Sequence, residues 1–275
     1  MFMTGSEAAQ AVSIVFAAGK GTRMVGYDGN KTLLPLIPGE SAYEGARPLL
    51  LEVLANLPPG PVGIVVHHRA EDIVRATNSP SVTHIFQQVT NGTGGALLAA
   101  RAFLENVSEE AVVITMGDVP LIRRVTYENL IVRLAKQHLV VLAFEPRDRA
   151  RYGMLEMDGD NVLRITEWEY WRSYSSERQA GLRFCNAGVY AVRRSVLLRY
   201  LDHLAHQPHY VQKRRGEELV TVQEYFLTDL VELMSNDGLP IGWVAAPEAE
   251  VSGVDTPEAL QTVQVHYEQM LADLQ

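Results

Sequence analysis

The sequence predicts an α/β fold, in which helices cover both faces of a doubly wound, mostly parallel sheet with antiparallel additions. Short, continuously apolar runs alternate with segments of helical periodicity through the first half of the chain. Strands that are apolar throughout are typical of a parallel sheet whose two faces are both buried. The 275 residues contain no Pro/Ser-rich linker, no low-complexity segment and no internal repeat. We therefore expect one domain that spans residues 1–275.

The first half of the chain contains the elements of the parallel sheet. The strand candidates are Ile14–Ala18, Val62–Val66, Val82–Phe86, Val112–Met116 and Leu139–Phe144. The intervening helix candidates are Arg47–Leu57, Ala70–Thr77, Gly95–Glu105 and Thr126–Gln137. Ligands of doubly wound sheets bind at the carboxyl ends of the strands, so we expect the chemistry of this protein at those ends.

The second half of the chain predicts the antiparallel additions. Tyr152–Met157 and Val162–Glu167 flank the sequence Asp-Gly-Asp-Asn, which is a hairpin signal. The remaining strand candidates are Phe184–Val192 and Pro240–Ala246. The remaining helix candidates are Ser195–Leu204, Tyr225–Met234 and Pro257–Leu274, the last with proline in its first turn.

Net charge and cysteine content exclude several classes of function. A formal net charge of −9 gives no electrostatic attraction for nucleic acid or for an anionic membrane. The single cysteine, Cys185, cannot form an intrachain disulfide, which fits a reducing compartment. The N-terminal residues lack the pattern of a secretory signal, and no apolar run is long enough for a membrane helix. We expect a cytoplasmic protein that binds neither nucleic acid nor membranes.

A glycine turn stands at the end of the first apolar strand, in the segment SIVFAAGKGTRM (Ser13–Met24). Gly19 and Gly21 permit a tight turn in which backbone N–H groups approach a ligand closely, and such groups suit phosphate oxygens. Arg23 adds a fork-shaped cation and Lys31 a point charge. The spacing matches neither a Walker A loop nor the dinucleotide fingerprint, because glycines that those motifs require are missing. Taken alone, the loop also fits an ordinary strand-to-helix turn with solvated charges.

Two aspartates stand where a cation can bind. Asp118 follows the strand candidate Val112–Met116, and Asp255 lies in a Gly-Val-Asp-Thr segment before a predicted helix. A carboxylate at a strand end, over a ligand cleft, suits Mg²⁺, which takes oxygen ligands and keeps waters and phosphates. Taken alone, each aspartate is explained better by capping than by metal binding: a turn before Pro120 for the first, and the helix at Pro257 for the second.

Several motifs occur in the order in which they occur in the nucleotidyltransferases that make nucleotide sugars. They are AAGKGTRM with the lysine of NKTLLPL, QQVTNGTGGA, MGDVPL, YGMLEMDGDNVLRITE, CNAGVY, YFLTDL and GVDTPEAL. The ordered set spans residues 12–265 and resembles this family, and within it the uridyltransferase domain that acts on N-acetylglucosamine-1-phosphate. The resemblance implies the Rossmann-like nucleotide-diphospho-sugar transferase fold. It also implies transfer of a nucleotidyl group from an NTP, here UTP, to a sugar-1-phosphate, with release of pyrophosphate.

The same resemblance implies a role for each matching residue. It places Mg²⁺ on Asp118 and Asp255, and it makes Arg23 and Lys31 the catalytic cations. The implied nucleotide-binding residues are Ala17, Ala18, Gly19, Gly21, Gln87, Gly92 and Thr93. The implied sugar-phosphate-binding residues are Gly153, Glu167, Asn186 and Thr228. An NTP and a sugar-1-phosphate are the implied partners, and the oligomeric state stays open.

The base pocket is less specific than the phosphate loop. The primary amide of Gln87 offers both a donor and an acceptor, which matches the edge of a pyrimidine. Thymine differs from uracil by one methyl group, which a hydrophobic contact discriminates weakly, so dTTP stays open beside UTP.

The chain departs from the family pattern directly after Glu167. The family places a lysine there to meet the sugar phosphate, whereas this chain has the aromatic segment Trp168–Trp171, and the first cation is Arg172. Either Arg172 serves as the phosphate cation, or the aromatic segment reshapes the pocket for another sugar.

Two further departures concern loops and domains. The segment His206–Glu218 is longer and more basic than in the family, and we interpret Lys213, Arg214 and Arg215 as part of a solvated loop. Bifunctional members of the family continue into a hexapeptide-repeat acetyltransferase domain. This sequence contains no hexapeptide repeat, so we expect neither acetyltransferase activity nor the trimer that such a domain organises.

Two other functions stay open at this point. A nucleotidyltransferase that acts on a polyol phosphate or a pterin shares the glycine loop, although the GTGGA turn, the hairpin and the YFLTDL segment favour sugar phosphates. A regulatory domain that binds a nucleotide sugar without turnover fits the missing lysine. Such a sensor has no need of paired metal carboxylates, which this chain retains.

Overall fold

The computed structural model describes residues 9–24, 26–215 and 218–273. The strands are β1 Val12–Phe16, β2 Pro35–Pro38, β3 Gly45–Pro48, β4 Val62–Val66, β5 Val82–Phe86, β6 Ala111–Met116, β7 Leu139–Phe144, β8 Met154–Asp158, β9 Asn161–Thr166, β10 Cys185–Arg193, β11 His209–Arg215, β12 Glu218–Glu224 and β13 Ile241–Ala245. The helices are α1 Leu49–Asn56, α2 Ala70–Ala76, α3 Gly92–Ala99, α4 Arg101–Glu105, α5 Arg124–Arg133, α6 Trp168–Trp171, α7 Ser176–Gly181, α8 Arg194–Ala205, α9 Asp229–Asn236 and α10 Pro257–Asp273, with a 3-10 helix at Lys31–Leu33.

The described strands form one large mixed sheet and two small ones. The main order is β13-β7-β10-β6-β1-β4-β5, and β8 and β9 attach to it through β10. The strands β6, β1, β4 and β5 are parallel, and β10 runs antiparallel between β6 and β7. The chain leaves β1 for β4 and β5 and then returns to β6 on the other side. The carboxyl ends of β1 and β6 therefore face the switch point at which such sheets bind ligands.

The sheet is buried on both faces, as its continuously apolar strands predict. In β1, Val12, Ile14 and Phe16 face one core cluster, whereas Val15 faces the other. The first cluster packs against α3, α4, α8 and α9, and the second against α1, α2 and α5. Since successive side chains of a strand point to opposite faces, two covered faces require an apolar residue at every position.

The predicted α/β class is confirmed, and every predicted strand is present within one or two residues of its predicted ends. The helix predicted at Thr126–Gln137 runs from Arg124 to Arg133, and three other helix predictions are wrong in extent. The first helix begins at Leu49 instead of Arg47, because Gly45–Pro48 pairs with β2. The helix predicted at Gly95–Glu105 begins at Gly92 and is divided at Ala100 into α3 and α4.

The third wrong helix boundary lies close to the site. The helix predicted at Tyr225–Met234 begins only at Asp229. The backbone N–H and C=O groups of Tyr225 bond to Asn91 and Gly94, so they are not available to a helix. Thr228 consequently lies at the N-cap instead of inside the helix.

The prediction of a basic loop at His206–Glu218 is also wrong. Strands β11 and β12 form a two-stranded antiparallel hairpin, in which Lys213 is opposite Val220. Gly216 and Glu217, which separate the two strands in the sequence, lie outside the described residues.

Within the described part of the chain, no helix is long and apolar enough to cross a membrane.

Glu250 anchors the segment that leads to Asp255. Its side chain is buried and accepts hydrogen bonds from the Arg123 backbone N–H at 3.1 Å, from the Arg123 guanidinium at 3.0 and 3.1 Å, and from the Thr126 hydroxyl. These bonds tie the segment to the start of α5, so a buried carboxylate with several donors fixes its course.

Replacing Glu250 by alanine removes the acceptor of the buried Thr126 hydroxyl and of the Arg123 backbone N–H, and it breaks the ion pair with the exposed Arg123 guanidinium. We expect the free energy of unfolding to fall by about 2–4 kcal/mol, measured by urea denaturation. The matched control is Glu248→Ala, whose carboxylate makes a longer ion pair with the exposed Arg147 and should cost less than about 0.5 kcal/mol. Equal stability of the two variants would contradict the anchoring role.

Candidate active site

Asn30 holds the glycine loop against the end of β1. Its side chain is buried, and its amide N–H groups donate to the carbonyl oxygens of His68 at 2.8 Å and of Ala17 at 3.4 Å. The amide oxygen accepts from the backbone and hydroxyl of Thr32, at 3.0 and 2.8 Å. One side chain thus fixes both the strand end and the 3-10 helix, and with that helix the position of Lys31. Sequence reasoning missed Asn30, although an asparagine just before a helical turn is an N-cap signal.

Two ion pairs stand at the carboxyl ends of β1 and β6. The Lys31 ammonium bonds to the Asp118 carboxylate and, at 3.1 Å, to the carbonyl oxygen of Val254. The Arg23 guanidinium lies 2.5 Å from the carboxylate of Asp255. The Val254 N–H donates to the Asp118 carbonyl at 2.9 Å, so the segments that carry the two aspartates are joined by backbone contact. The four residues predicted as catalytic cations and metal ligands therefore form one group.

The donor set of this group fits a divalent cation that binds oxygen. Among the described residues, no group of three or more His, Cys, Asp or Glu side chains has the arrangement of a metal site. Two carboxylates on adjoining segments leave most of the coordination sphere to waters and phosphate oxygens, which is the usual situation of Mg²⁺.

A cleft of about 420 Å³ opens beside this group. The predicted residues that line it are Ala17, Ala18, Gly19, Lys31, Gln87, Gly92, Thr93 and Asp118. Lys20, Thr22 and Thr32 also line it. Gly21 has a left-handed backbone, with φ +61°, and a Cβ atom there would contact the Lys31 side chain at 3.4 Å. The loop turn therefore packs directly on the lysine that faces the cleft.

Gln87 and Gly92 form the far end of the cleft. Gln87 is buried, and its amide N–H donates to the Asn91 side chain at 3.1 Å. Gly92 has φ +91°, and a Cβ atom there would lie 2.3 Å from the carbonyl oxygen of Tyr225. Only glycine fits this position, because both the backbone angle and the available space exclude a side chain.

The segment after β12 is fastened to the start of α3. The Tyr225 N–H donates to Asn91 O at 2.8 Å, and the Gly94 N–H donates to Tyr225 O at 2.8 Å. The Leu227 N–H donates to the Thr93 hydroxyl at 3.1 Å. The hairpin β11–β12 is therefore held in a defined position over the cleft.

The residues predicted to bind the sugar phosphate form a second group. The Thr228 hydroxyl donates to the Glu167 carboxylate at 3.2 Å. A Cβ atom at Gly153 would lie 3.2 Å from the same carboxylate, and the Asn186 N–H donates to the Gly153 carbonyl at 2.9 Å. The Asn186 amide is itself engaged, since it donates to the Tyr190 hydroxyl at 2.7 Å. Glu167 thus stands at the centre of this group.

The structure does not bring Arg172 to this group. Its guanidinium stacks over the Trp168 ring, 4.5 Å from the centroid, and its Nε lies 3.4 Å from the carbonyl oxygen of Glu169. Arg151 covers the same ring at 4.8 Å. The predicted replacement cation is therefore used in packing on the aromatic segment.

Two further cavities connect Glu167 with the cleft. One, of about 530 Å³, is lined by Glu167, Lys213 and Glu224 among others. The next, of about 410 Å³, is lined by Glu167, Thr228 and Asp229 among others. Lys213 and Glu224 also line the 420 Å³ cleft beside Lys31 and Asp118. Sequence reasoning missed these two residues, although the alternation in His209–Glu224 on either side of a glycine is a hairpin signal.

Burial raises the pKa of two carboxylates near this second group, Glu167 and Asp229. The Thr228 hydroxyl opposes the shift at Glu167 only in part. The His209 ring, 2.8 Å from the Asp229 carboxylate, opposes the shift at Asp229. Among the described residues no lysine or arginine pairs with Glu167, and a buried carboxylate with a raised pKa is typical of a functional site.

Glu156 shows the opposite behaviour at a structural position. Burial alone would raise its pKa, but several donors outweigh that effect and lower the pKa to about 2. These donors are Arg164, Thr166, Arg178 and Tyr174.

Sheet order, glycine loop and cleft have the arrangement of the nucleotide-diphospho-sugar transferase fold. Residues 13–225 match the MobA-like NTP transferase domain. The chain belongs to this family.

Curated relatives share about a third of its residues. The bifunctional protein GlmU of Ruegeria sp. (strain TM1040) is 33% identical over 267 residues, which cover 95% of this chain and 54% of that protein. The bifunctional protein GlmU of Ruegeria pomeroyi is 33% identical over 248 residues, which cover 88% of this chain and 49% of that protein. The chain thus spans about half the length of the curated relatives that it matches.

Solved structures share the fold. The uridine diphosphate N-acetylglucosamine pyrophosphorylase of Trypanosoma brucei matches with a TM-score of 0.71 and 14% identity, over 92% of this chain and 64% of that one. The structure described as a glucose-1-phosphate thymidylyltransferase of Bacillus anthracis matches with a TM-score of 0.64 and 20% identity, over 93% of this chain and 94% of that one.

The raised pKa of Glu167 predicts a pH-dependent cost to stability. As pH rises from about 4.3, the unfolded chain loses this proton before the folded chain does, so the folded state loses stability up to its own higher pKa. We expect Glu167→Gln to raise the free energy of unfolding near neutral pH and to have no effect below the unfolded pKa. Urea denaturation across this pH range measures the difference.

The control for this prediction is Glu156→Gln. Its folded-state pKa is lowered, so its contribution is present above the unfolded pKa and is lost as pH falls toward about 2. This variant should be less stable than the wild type near neutral pH. A loss of stability in both variants would contradict the view that Glu167 is an uncompensated buried carboxylate.

Proposed function

We propose that this protein transfers the uridylyl group of UTP to a sugar-1-phosphate, of which N-acetylglucosamine-1-phosphate is the first candidate, and releases pyrophosphate. The observation that carries the proposal is the group at the ends of β1 and β6, where Lys31 pairs with Asp118 and Arg23 with Asp255 beside a glycine loop. The fold shared with the uridine diphosphate N-acetylglucosamine pyrophosphorylase of T. brucei supports this choice of sugar and base.

The chemistry requires positioning and charge stabilisation more than proton transfer. A phosphate oxygen of the acceptor forms a bond to the α-phosphorus, and the bond from that phosphorus to the bridging β-phosphate oxygen breaks. The electron pair leaves with pyrophosphate. Since the attacking oxygen is already ionised, no general base is needed.

Each residue of the group has a distinct task in this proposal. Lys31 steadies the α-phosphate on which the bond forms, from the 3-10 helix that Asn30 holds in position. Arg23 and the N–H groups of the glycine loop stabilise the charge that develops on pyrophosphate. Gln87 and Gly92 hold the base, and Glu167 and Asn186 hold the sugar.

Asp118 and Asp255 would hold Mg²⁺, which when bound neutralises phosphate charge and polarises the α-phosphate. The same two carboxylates pair with Lys31 and Arg23, so the proposed metal ligands and catalytic cations lie in direct contact.

Pyrophosphate release tests the proposal directly. The protein is incubated with Mg²⁺, one of UTP, dTTP, CTP, GTP and ATP, and one of a panel of sugar-1-phosphates. We expect the strongest signal with UTP and N-acetylglucosamine-1-phosphate, and none after chelation of the metal. Turnover with another NTP and sugar-1-phosphate would change the assigned substrates and leave the proposed mechanism in place. Binding of UTP without turnover across the panel would instead favour a regulatory nucleotide-sugar-binding domain or a non-sugar acceptor.

Removal of either catalytic charge is expected to abolish most of the activity. Asp118→Ala and Arg23→Ala should each lower kcat about 100-fold or more, because each removes a charge that acts on the phosphates. The matched control is Arg75→Ala, which removes an exposed arginine paired with an aspartate on α2. Near-normal rates in both site variants, with circular dichroism spectra like that of the wild type, would overturn the mechanism.

A further inference from the structure

Three described cavities form a continuous path from the nucleotide cleft to the sugar side of the site. The cleft and the 530 Å³ cavity have Lys213 and Glu224 in common. That cavity and the 410 Å³ cavity have Glu167, Glu169, Tyr170 and Phe226 in common. The acceptor of the proposed reaction must reach from the sugar side to the α-phosphate, so its own phosphate belongs where the cleft meets the second cavity.

The charge within the second cavity is unfavourable to a phosphate except at one residue. Glu167, Glu169 and Glu224 line the second cavity, and Lys213 is its one cation among the described lining residues. A phosphate surrounded by carboxylates alone is repelled, whereas an ammonium group among them attracts it.

Lys213 is held at the junction by two constraints. Its ammonium group pairs with the Glu224 carboxylate, whose side chain is only 10% exposed. The hairpin that carries it is fastened to α3 through Tyr225, which bonds to Asn91 and Gly94. A lysine has three donor hydrogens, so Lys213 can keep its bond to Glu224 and donate to a phosphate at the same time.

We propose that Lys213 is the cation that binds the phosphate of the sugar-1-phosphate, and that Glu224 is its positioning residue. This inference deepens the proposed function, on which it rests. Lys213 thus replaces Arg172, which the sequence suggested as the phosphate cation, because the Arg172 guanidinium is stacked over Trp168. A residue remote in sequence, on a hairpin over the cleft, then completes the acceptor site.

The test compares Lys213→Met with Lys213→Arg and Glu224→Gln. Loss of the charge is expected to raise the KM of N-acetylglucosamine-1-phosphate about tenfold or more, since a charged hydrogen bond is lost. The Kd of UTP should change less than about threefold, because the other cations of the cleft remain. Lys213→Arg should restore most of the affinity, and Glu224→Gln should give an intermediate KM. Lys136→Met, which removes an exposed lysine after α5, is the control with unchanged kinetics.

Calorimetric binding of N-acetylglucosamine-1-phosphate separates this inference from the proposed function. Wild-type turnover with an unchanged KM in Lys213→Met, or a larger loss in Arg172→Met, would overturn the role of Lys213 and leave the reaction intact. Wild-type binding without turnover, with binding lost in Lys213→Met, would sustain the phosphate site and overturn the reaction. Absence of both binding and turnover in the wild type would overturn both.

Discussion

The ion pair between Lys31 and Asp118 is the interaction on which the site depends. It joins the 3-10 helix after the glycine loop to the end of β6, and through Val254 it also reaches the segment of the second aspartate. Both side chains are less than a fifth exposed, with 15% and 19% of their surface accessible. Screening by solvent is therefore weak, and the pair holds three remote segments of the chain at one point.

The same pairing recurs around the cleft. Arg23 faces Asp255, and Lys213 faces Glu224. A chain of net charge −9 thus keeps these three cations at one edge of the sheet by pairing each of them with a carboxylate.

Glu167 differs from these paired acids in its partner and in the direction of its pKa shift. Its main partner is the neutral Thr228 hydroxyl, and burial raises its pKa. Glu156, on the neighbouring strand, receives several donors and has a pKa of about 2. Glu156 is satisfied by donors within the fold, whereas Glu167 keeps acceptor capacity that the proposed sugar substrate would use, at a cost to stability that the fold must offset elsewhere.

Local patterns of the sequence determined the sheet and its ligand loop. Continuously apolar strands such as Leu139–Phe144 predicted a sheet with two covered faces, and the glycine turn predicted a phosphate-binding loop at the end of β1. Both signals depend on residues that are neighbours in the sequence. The tertiary structure alone decided which remote groups meet. Lys213 lines the cleft because β11 pairs with β12 and the hairpin is attached to α3. The Arg172 guanidinium packs over Trp168. Contacts between distant segments depend on packing of the whole chain, which no local pattern encodes.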